Sequence, residues 1–164
     1  MGGGLSDQGV MSQVMLVKFQ KPYMQQLVQL GGVAGCDHKY LMQPLPSMLE
    51  ARSNFGLIYL KGCHNTNKYS LFAVGGRSNE GLLSSIERYD SATKSWSIVA
   101  HLSQGLEKHQ VVSLPDGIYV IGGKSDEGYL STVLKLDPAT LQFQSLPSLH
   151  QERANFRAVL STNC

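Results

Sequence analysis

This chain aligns on itself, and that alignment limits its fold more than any other property of the sequence. Residues 71–102, LFAVGGRSNEGLLSSIERYDSATKSWSIVAHL, lie without a gap on residues 118–149, IYVIGGKSDEGYLSTVLKLDPATLQFQSLPSL, at an offset of 47 with eleven identities in 32 positions. Average residue usage would produce about two. A second pair, QPLPSMLEARSNFG at 43–56 and QSLPSLHQERANFR at 144–157, matches at seven of 14 positions with an offset of 101. The offsets differ by 54, so one unit is seven residues longer, and the surplus falls in KGCHNTNKYS (61–70), where the other unit has only the PDG turn at 115–117. A period of this size marks a repeat architecture, in which each unit must stack on its neighbours to bury its apolar faces.

Each unit reads as four short strands divided by turn signals, with no helical period. Strand a is FGLIYL (55–60) or HQVVSL (109–114), and strand b is SLFAV (70–74) or GIYVI (117–121). Strand c is SSIERY (84–89) or STVLKL (131–136), and strand d is SWSIV (95–99) or LQFQSL (141–146). PDG before Ile118, and DSAT or DPAT between c and d, supply the turn chemistry. Strand b is apolar at successive positions, as a strand covered on both faces must be. Four-stranded sheets recurring every 45 to 50 residues predict an all-β fold made of antiparallel propeller blades.

A double glycine follows strand b in both units, as Gly75–Gly76 and Gly122–Gly123. In the first unit it leads to Tyr89 and Trp96; in the second, Leu136 and Phe143 hold those two positions. With the SSIERYD segment and the d-to-a arginines Arg52 and Arg153, this pattern resembles the kelch repeats over about residues 45–164, most like those of BTB-kelch adaptor proteins, although no BTB domain is present in the sequence. The resemblance implies a kelch-type β-propeller, of which two complete repeats (about 55–102 and 109–149) and strand a of a third (156–161) lie within residues 49–164. Four such blades would need about 190 residues. A second chain, or the rest of a longer chain, is therefore expected to close the ring. Gly76 and Gly123 are expected where backbones approach closely at positive φ. Trp96 and Phe143 are expected to fill the gap between adjacent blades.

In kelch domains that bind peptides, the b-to-c and d-to-a loops form the binding rim. Carried over, this implies Arg77, Ser78 and Asn79 from one blade, Lys124, Ser125 and Asp126 from the next, and Asn54, Lys108 and Asn155 from the d-to-a loops. Arg77, Lys108 and Lys124 make that rim basic, partly offset by Glu80, Asp126 and Glu127, so an acidic peptide is the expected partner. Arg52 and Arg153 are expected to brace their own loops. The function implied is a protein–protein interaction module, such as the substrate-recognition part of a ubiquitin-ligase adaptor, in the cytoplasm. Two other readings stand beside it: a truncated or structural subunit packed in a larger assembly, and an enzyme like the sugar mutarotases and oxidases of kelch type.

Composition narrows the alternatives. Fourteen basic against 12 acidic residues give a net charge of +2, too little for a surface that tracks phosphates, so nucleic acid is not expected. No run approaches the roughly 18 apolar residues of a membrane span. Cys36, Cys63 and Cys164 never form C-x-x-C, which argues against a disulfide framework or zinc knuckle and suits a reducing compartment. His101, His109 and His150 have no metal-ligand spacing, and no nucleophile elbow, phosphate loop or dinucleotide fingerprint occurs, so no catalytic group, metal or cofactor is expected. All six methionines and only two acids, Asp7 and Asp37, lie in the first 48 residues. There, 1–12 read as a flexible start; MGGGLS fits the myristoylation pattern at Gly2 but no polybasic second signal follows. Residues 13–48 read as a degenerate or partial blade with apolar runs VMLVKF (14–19), QQLVQL (25–30) and YLMQPL (40–45), Met42 holding the Trp96 position.

Overall fold

The computed structural model describes residues 15–19, 40–61 and 68–160. The N-terminal stretch 1–12, the run at 25–30, and Cys63 with His64 in the inserted loop lie outside the described residues. Each full repeat is one four-stranded antiparallel sheet. The first contains β3 (Gly56–Lys61), β4 (Tyr69–Val74), β5 (Ser85–Asp90) and β6 (Ser95–His101), paired in chain order. In the second, β7 (Gln110–Leu114), β8 (Gly117–Ile121), β11 (Val133–Leu136) and β12 (Phe143–Leu146) pair in the same sequence, and a small hairpin, β9 (Lys124–Ser125) with β10 (Gly128–Tyr129), is set into the b-to-c loop. Ahead of both, β1 (Met15–Phe19) and β2 (Tyr40–Pro44) form an antiparallel pair in which Val17 stands opposite Met42.

Alternation along the strands explains the stacking. On β4, Phe72 and Val74 point to one side and Leu71 and Ala73 to the other, and all four are buried. The first pair joins Ile86, Leu102 and Leu106 against Ile118, Val120 and Leu136 of the second sheet, so the main core is the seam between the two blades. The second pair joins Tyr89, Trp96, Leu45 and Met48, closing the opposite face with the segment that follows β2. The Trp96 indole N–H donates to the Pro46 carbonyl at 2.9 Å, and its ring lies 5.5 Å from that of Tyr89. The buried indole, its polar atom satisfied, is the largest side chain on this face.

The double glycines do what their sequence position requires. Gly76 has φ +104 and Gly123 φ +109, and a Cβ on either would lie 2.7 Å from the Ser53 carbonyl oxygen or 2.9 Å from that of Glu107. Both the dihedral and the backbone approach exclude a side chain.

Two expectations need correction. Phe143 does not fill the inter-blade gap: it is 36% exposed on the outer strand β12, and its cross-strand partner Leu136 is fully buried instead. Leu141, held at φ +60 by the turn after Asp137, packs onto the same core, whereas the matching residue of the first repeat, Lys94 at φ +56, is exposed. The turn residue thus fills space that the aromatic would have taken. Second, residues 156–160 form no ladder. A first strand is paired by the second strand of its own blade, and none of the described residues supplies one. Phe156 is partly buried beside Gly122, after which Val159 is 88% exposed.

Candidate functional site

The loops that leave strands b and d meet at one end of the two sheets and are stitched together by backbone hydrogen bonds, paired within a blade and single between blades. Ser53 and Arg77 exchange both bonds of a short bridge, at 2.9 and 2.8 Å. Glu107 and Lys124 do the same one blade further on, at 3.0 and 2.8 Å. Between blades, the Lys108 N–H donates to the Asn54 carbonyl and the Asn155 N–H to the Lys108 carbonyl, each at 2.9 Å. Asn54, Lys108 and Asn155 share a left-handed backbone, with φ of 53, 57 and 56. Asparagine visits that region readily and lysine does not.

Glu107 is the hub of this end. Its carboxylate accepts from the Arg77 guanidinium at 3.0 Å and from the Asn54 side-chain amide at 3.1 Å, and the residue is buried. Burial alone would raise its pKa; hydrogen bonds from Arg77 and Asn54, with the charges of Arg77 and Lys108, outweigh it and hold the carboxyl below its ordinary value. The same hydrogen bond raises the pKa of Arg77, whose side chain remains 44% exposed. Sequence reasoning missed Glu107, because an acid beside Lys108 reads as part of a solvated loop. Its position is homologous with Ser53, and as Ser53 bridges Arg77 so Glu107 bridges Lys124; its side-chain contact with Arg77 of the preceding blade has no counterpart in that homology.

The other expected rim residues divide into two groups. Lys108 is exposed, and Lys124 is half-buried with its ammonium 5.8 Å from the Tyr129 ring centre, a cation–π contact across β9 and β10. Among the described residues neither has a carboxylate within ion-pair distance. Asn79 and Asn155 are exposed. The two serines are occupied with turn formation: Ser78 Oγ donates to the Gly81 carbonyl and accepts from the Glu80 N–H, and Ser125 Oγ relates to Gly128 and Glu127 in the same way. Ser125 is also buried, so its hydroxyl is not at the surface.

Arg52 is fully buried and braces its loop, as expected. Its guanidinium donates to the carbonyls of Gly75 (2.8 Å) and Ser85 (3.2 Å) and pairs with Glu87 at 2.5 Å and Glu50 at 3.1 Å. Glu87 in turn caps the N–H groups of Leu49 and Glu50, and Ser85 Oγ donates to Glu50. Arg153 differs: its side chain is exposed and among the described residues reaches only the Gln151 carbonyl, at 3.4 Å. Among the described residues no group of three or more His, Cys, Asp or Glu is placed to hold a metal ion, and no helix is long and apolar enough to cross a membrane.

The profile of the Kelch motif matches residues 64–103 and 109–150, one match per blade. Kelch-like protein 41a of Danio rerio is 35% identical over 75 residues, which is 46% of this chain and 11% of that protein. Among solved structures, the one described as "Structure of YjhT" superposes with a TM-score of 0.59 at 16% identity, covering 70% of this chain and 44% of the other, a likeness of fold. The chain therefore spans only a minor part of either protein. Two motif matches covering half the residues, on two blades with the double glycines and Trp96 in place, put this chain in the kelch-repeat family.

Proposed function

We propose that the loop end built around Glu107 binds an acidic or hydroxyl-rich peptide. Kelch repeats indicate a protein-interaction module. The observation that carries the finer reading is the pair of lysines outside any ion pair at this end: Arg77 gives part of its guanidinium to Glu107 and feels the charge of Asp126, while Lys108 and Lys124 have no carboxylate within ion-pair distance among the described residues. Lys108 adds a second argument. It holds a backbone conformation that both flanking repeats fill with asparagine, and strain retained at a loop tip points to use. Arg77 can bind a carboxylate through two parallel bonds, and the lysines act as point charges. In this reading the chain is the substrate-recognition part of a cytoplasmic ubiquitin-ligase adaptor and performs no catalysis itself.

Titration of labelled acidic and basic peptides tests it. The acidic set is expected to bind, more weakly as salt rises, because exposed charges are screened over about 10 Å at 0.1 M. Arg77→Ala with Lys124→Ala should abolish that binding. Lys108→Asn separates binding from folding: it should weaken the peptide while leaving the melting temperature equal or higher. Equal binding by wild type and the double variant, or a preference for basic peptides, would reject this end as the site.

A further inference from the structure

Both repeats carry a cation at the same point of strand c, and they neutralise it differently. In the second blade it is Lys135, opposite Tyr119 on β8, and the short a-to-b turn supplies its partner: Lys135 Nζ lies 2.7 Å from Asp116 Oδ2. In the first blade it is Arg88, opposite Phe72 on β4. Tyr69 stands where the second blade has Asp116, so that acid has no counterpart here. The longer a-to-b connection has Lys61 and Lys68 at its two described ends, both exposed. Among the described residues, Arg88, Lys61 and Lys68 form no ion pair, and the Nε of Arg88 is buried without a hydrogen-bond partner. A buried donor of a charged group left open is costly unless something binds it.

These three cations line one cleft of about 290 Å³, to which the second blade adds Pro138 from its c-to-d turn. Ser70 is paired with Asp90 and Phe72 with Arg88, so all four share one face of the sheet. It is the face that packs on the second blade, since Phe72 belongs to the inter-blade core. The cleft lies at the start of strand b, the end of the sheets away from Glu107. Asp90 also lines it, and its carboxylate already accepts from the Ala92 N–H at 2.7 Å. Three cations against one carboxylate leave a surplus of two positive charges.

We infer that this cleft binds the phosphoryl group of a phosphate monoester. Such a group carries about −1.5 to −2 charge at pH 7 and three acceptor oxygens, which matches the surplus; a carboxylate would leave half of it. Arg88 would present Nε and one terminal nitrogen as parallel donors, Lys61 and Lys68 would act as point charges, and the Ser70 hydroxyl would donate to a remaining oxygen. The volume stands at the lower end of small-molecule sites, about 300 to 1,000 Å³. It therefore suits a phosphorylated side chain or a small phosphorylated metabolite.

Titration calorimetry of the full chain in phosphate-free buffer tests this, with inorganic phosphate, glycerol phosphate, a phosphoserine peptide and acetate as probes. The phosphate probes should bind, and acetate should bind at least about tenfold more weakly. Arg88→Leu should weaken the phosphate probes about tenfold or more, and Lys61→Gln with Lys68→Gln should weaken them as well. Lys135→Gln, at the homologous position where Asp116 is already the partner, should leave binding unchanged. Phosphate should raise the melting temperature of the wild type and not that of Arg88→Leu. If Arg88→Leu does not fold, the double lysine variant, altered only at exposed positions, carries the comparison. A preference for the peptide or for glycerol phosphate supports the site equally and identifies the carrier. Absence of binding by every phosphate probe, equal binding by the wild type and the variants of Arg88 or the lysines, an equal loss from Lys135→Gln, or acetate binding as tightly as phosphate would overturn the inference.

Discussion

At the scale of single residues, two buried polar groups govern stability in opposite ways. His109 is almost completely buried, with neither ring nitrogen hydrogen-bonded among the described residues, at a position that the other repeats fill with Phe55 and Phe156. Burial drives its pKa down to about 4, against a smaller pull in the other direction from the Val74 backbone. The unfolded chain, with its ordinary imidazole, binds the proton first as pH falls. His109's contribution is therefore complete above about pH 6.5, declines below that value and is exhausted near pH 4, a loss of about 3 kcal/mol. Urea midpoints at pH 7, 5.5 and 4 should show this slope, and His109→Phe should flatten it without loss at pH 7. Arg52 is the contrasting case, buried but paired. Removing it strands Glu87, so Arg52→Leu should cost about 3 to 5 kcal/mol by chemical denaturation. Adding Glu87→Leu, which copies the Leu106 and Leu134 arrangement, should recover only part, since Glu87 also caps Leu49 and Glu50.

Elements were the most legible scale, for a physical reason. Strands b and c stand between turn signals whose chemistry is local: in both c-to-d turns the Asp side chain accepts from a backbone N–H two residues on, Asp90 from Ala92 at 2.7 Å and Asp137 from Ala139 at 2.8 Å. Such turns need no knowledge of the rest of the fold. What escaped depended on contacts between repeats. Glu107 acquires its role from Arg77 one blade away, Phe143 loses its role to Leu136 and Leu141, and the β9–β10 hairpin was read as plain loop because each of its strands is only two residues long. Strand d provides the direct check. Trp96→Ala should cost about 3 to 5 kcal/mol, while Phe143→Ala, at the same position one repeat later, should cost under about 1 kcal/mol. Equal losses in calorimetry would return Phe143 to the core.

The described residues make two stacked blades and the β1–β2 pair, and exposed apolar side chains lie at both ends of the stack. Leu57 and Tyr59 of β3 are exposed on one side, Val159 and Leu160 on the other. Strand edges and apolar patches of this kind promote association between chains. Light scattering of the concentrated protein should therefore rise with time, and Tyr59→Lys with Val159→Lys should suppress it while leaving the melting temperature nearly unchanged. A chain that stays monodisperse without those substitutions would show that the exposed residues are covered in solution.

The inter-blade bonds through Asn54, Lys108 and Asn155 also give the stack a direction. Each later loop offers its N–H backward to the carbonyl of the loop before it. The series is thus an arrow, and whatever continues it must present an amide hydrogen to the Asn155 carbonyl. A partner related by a two-fold axis runs its own series in the opposite sense and does not extend the line. Growth of this architecture is therefore head-to-tail: it ends by closing into a ring or by meeting a differently built cap, and symmetric pairing of identical faces is not open to it.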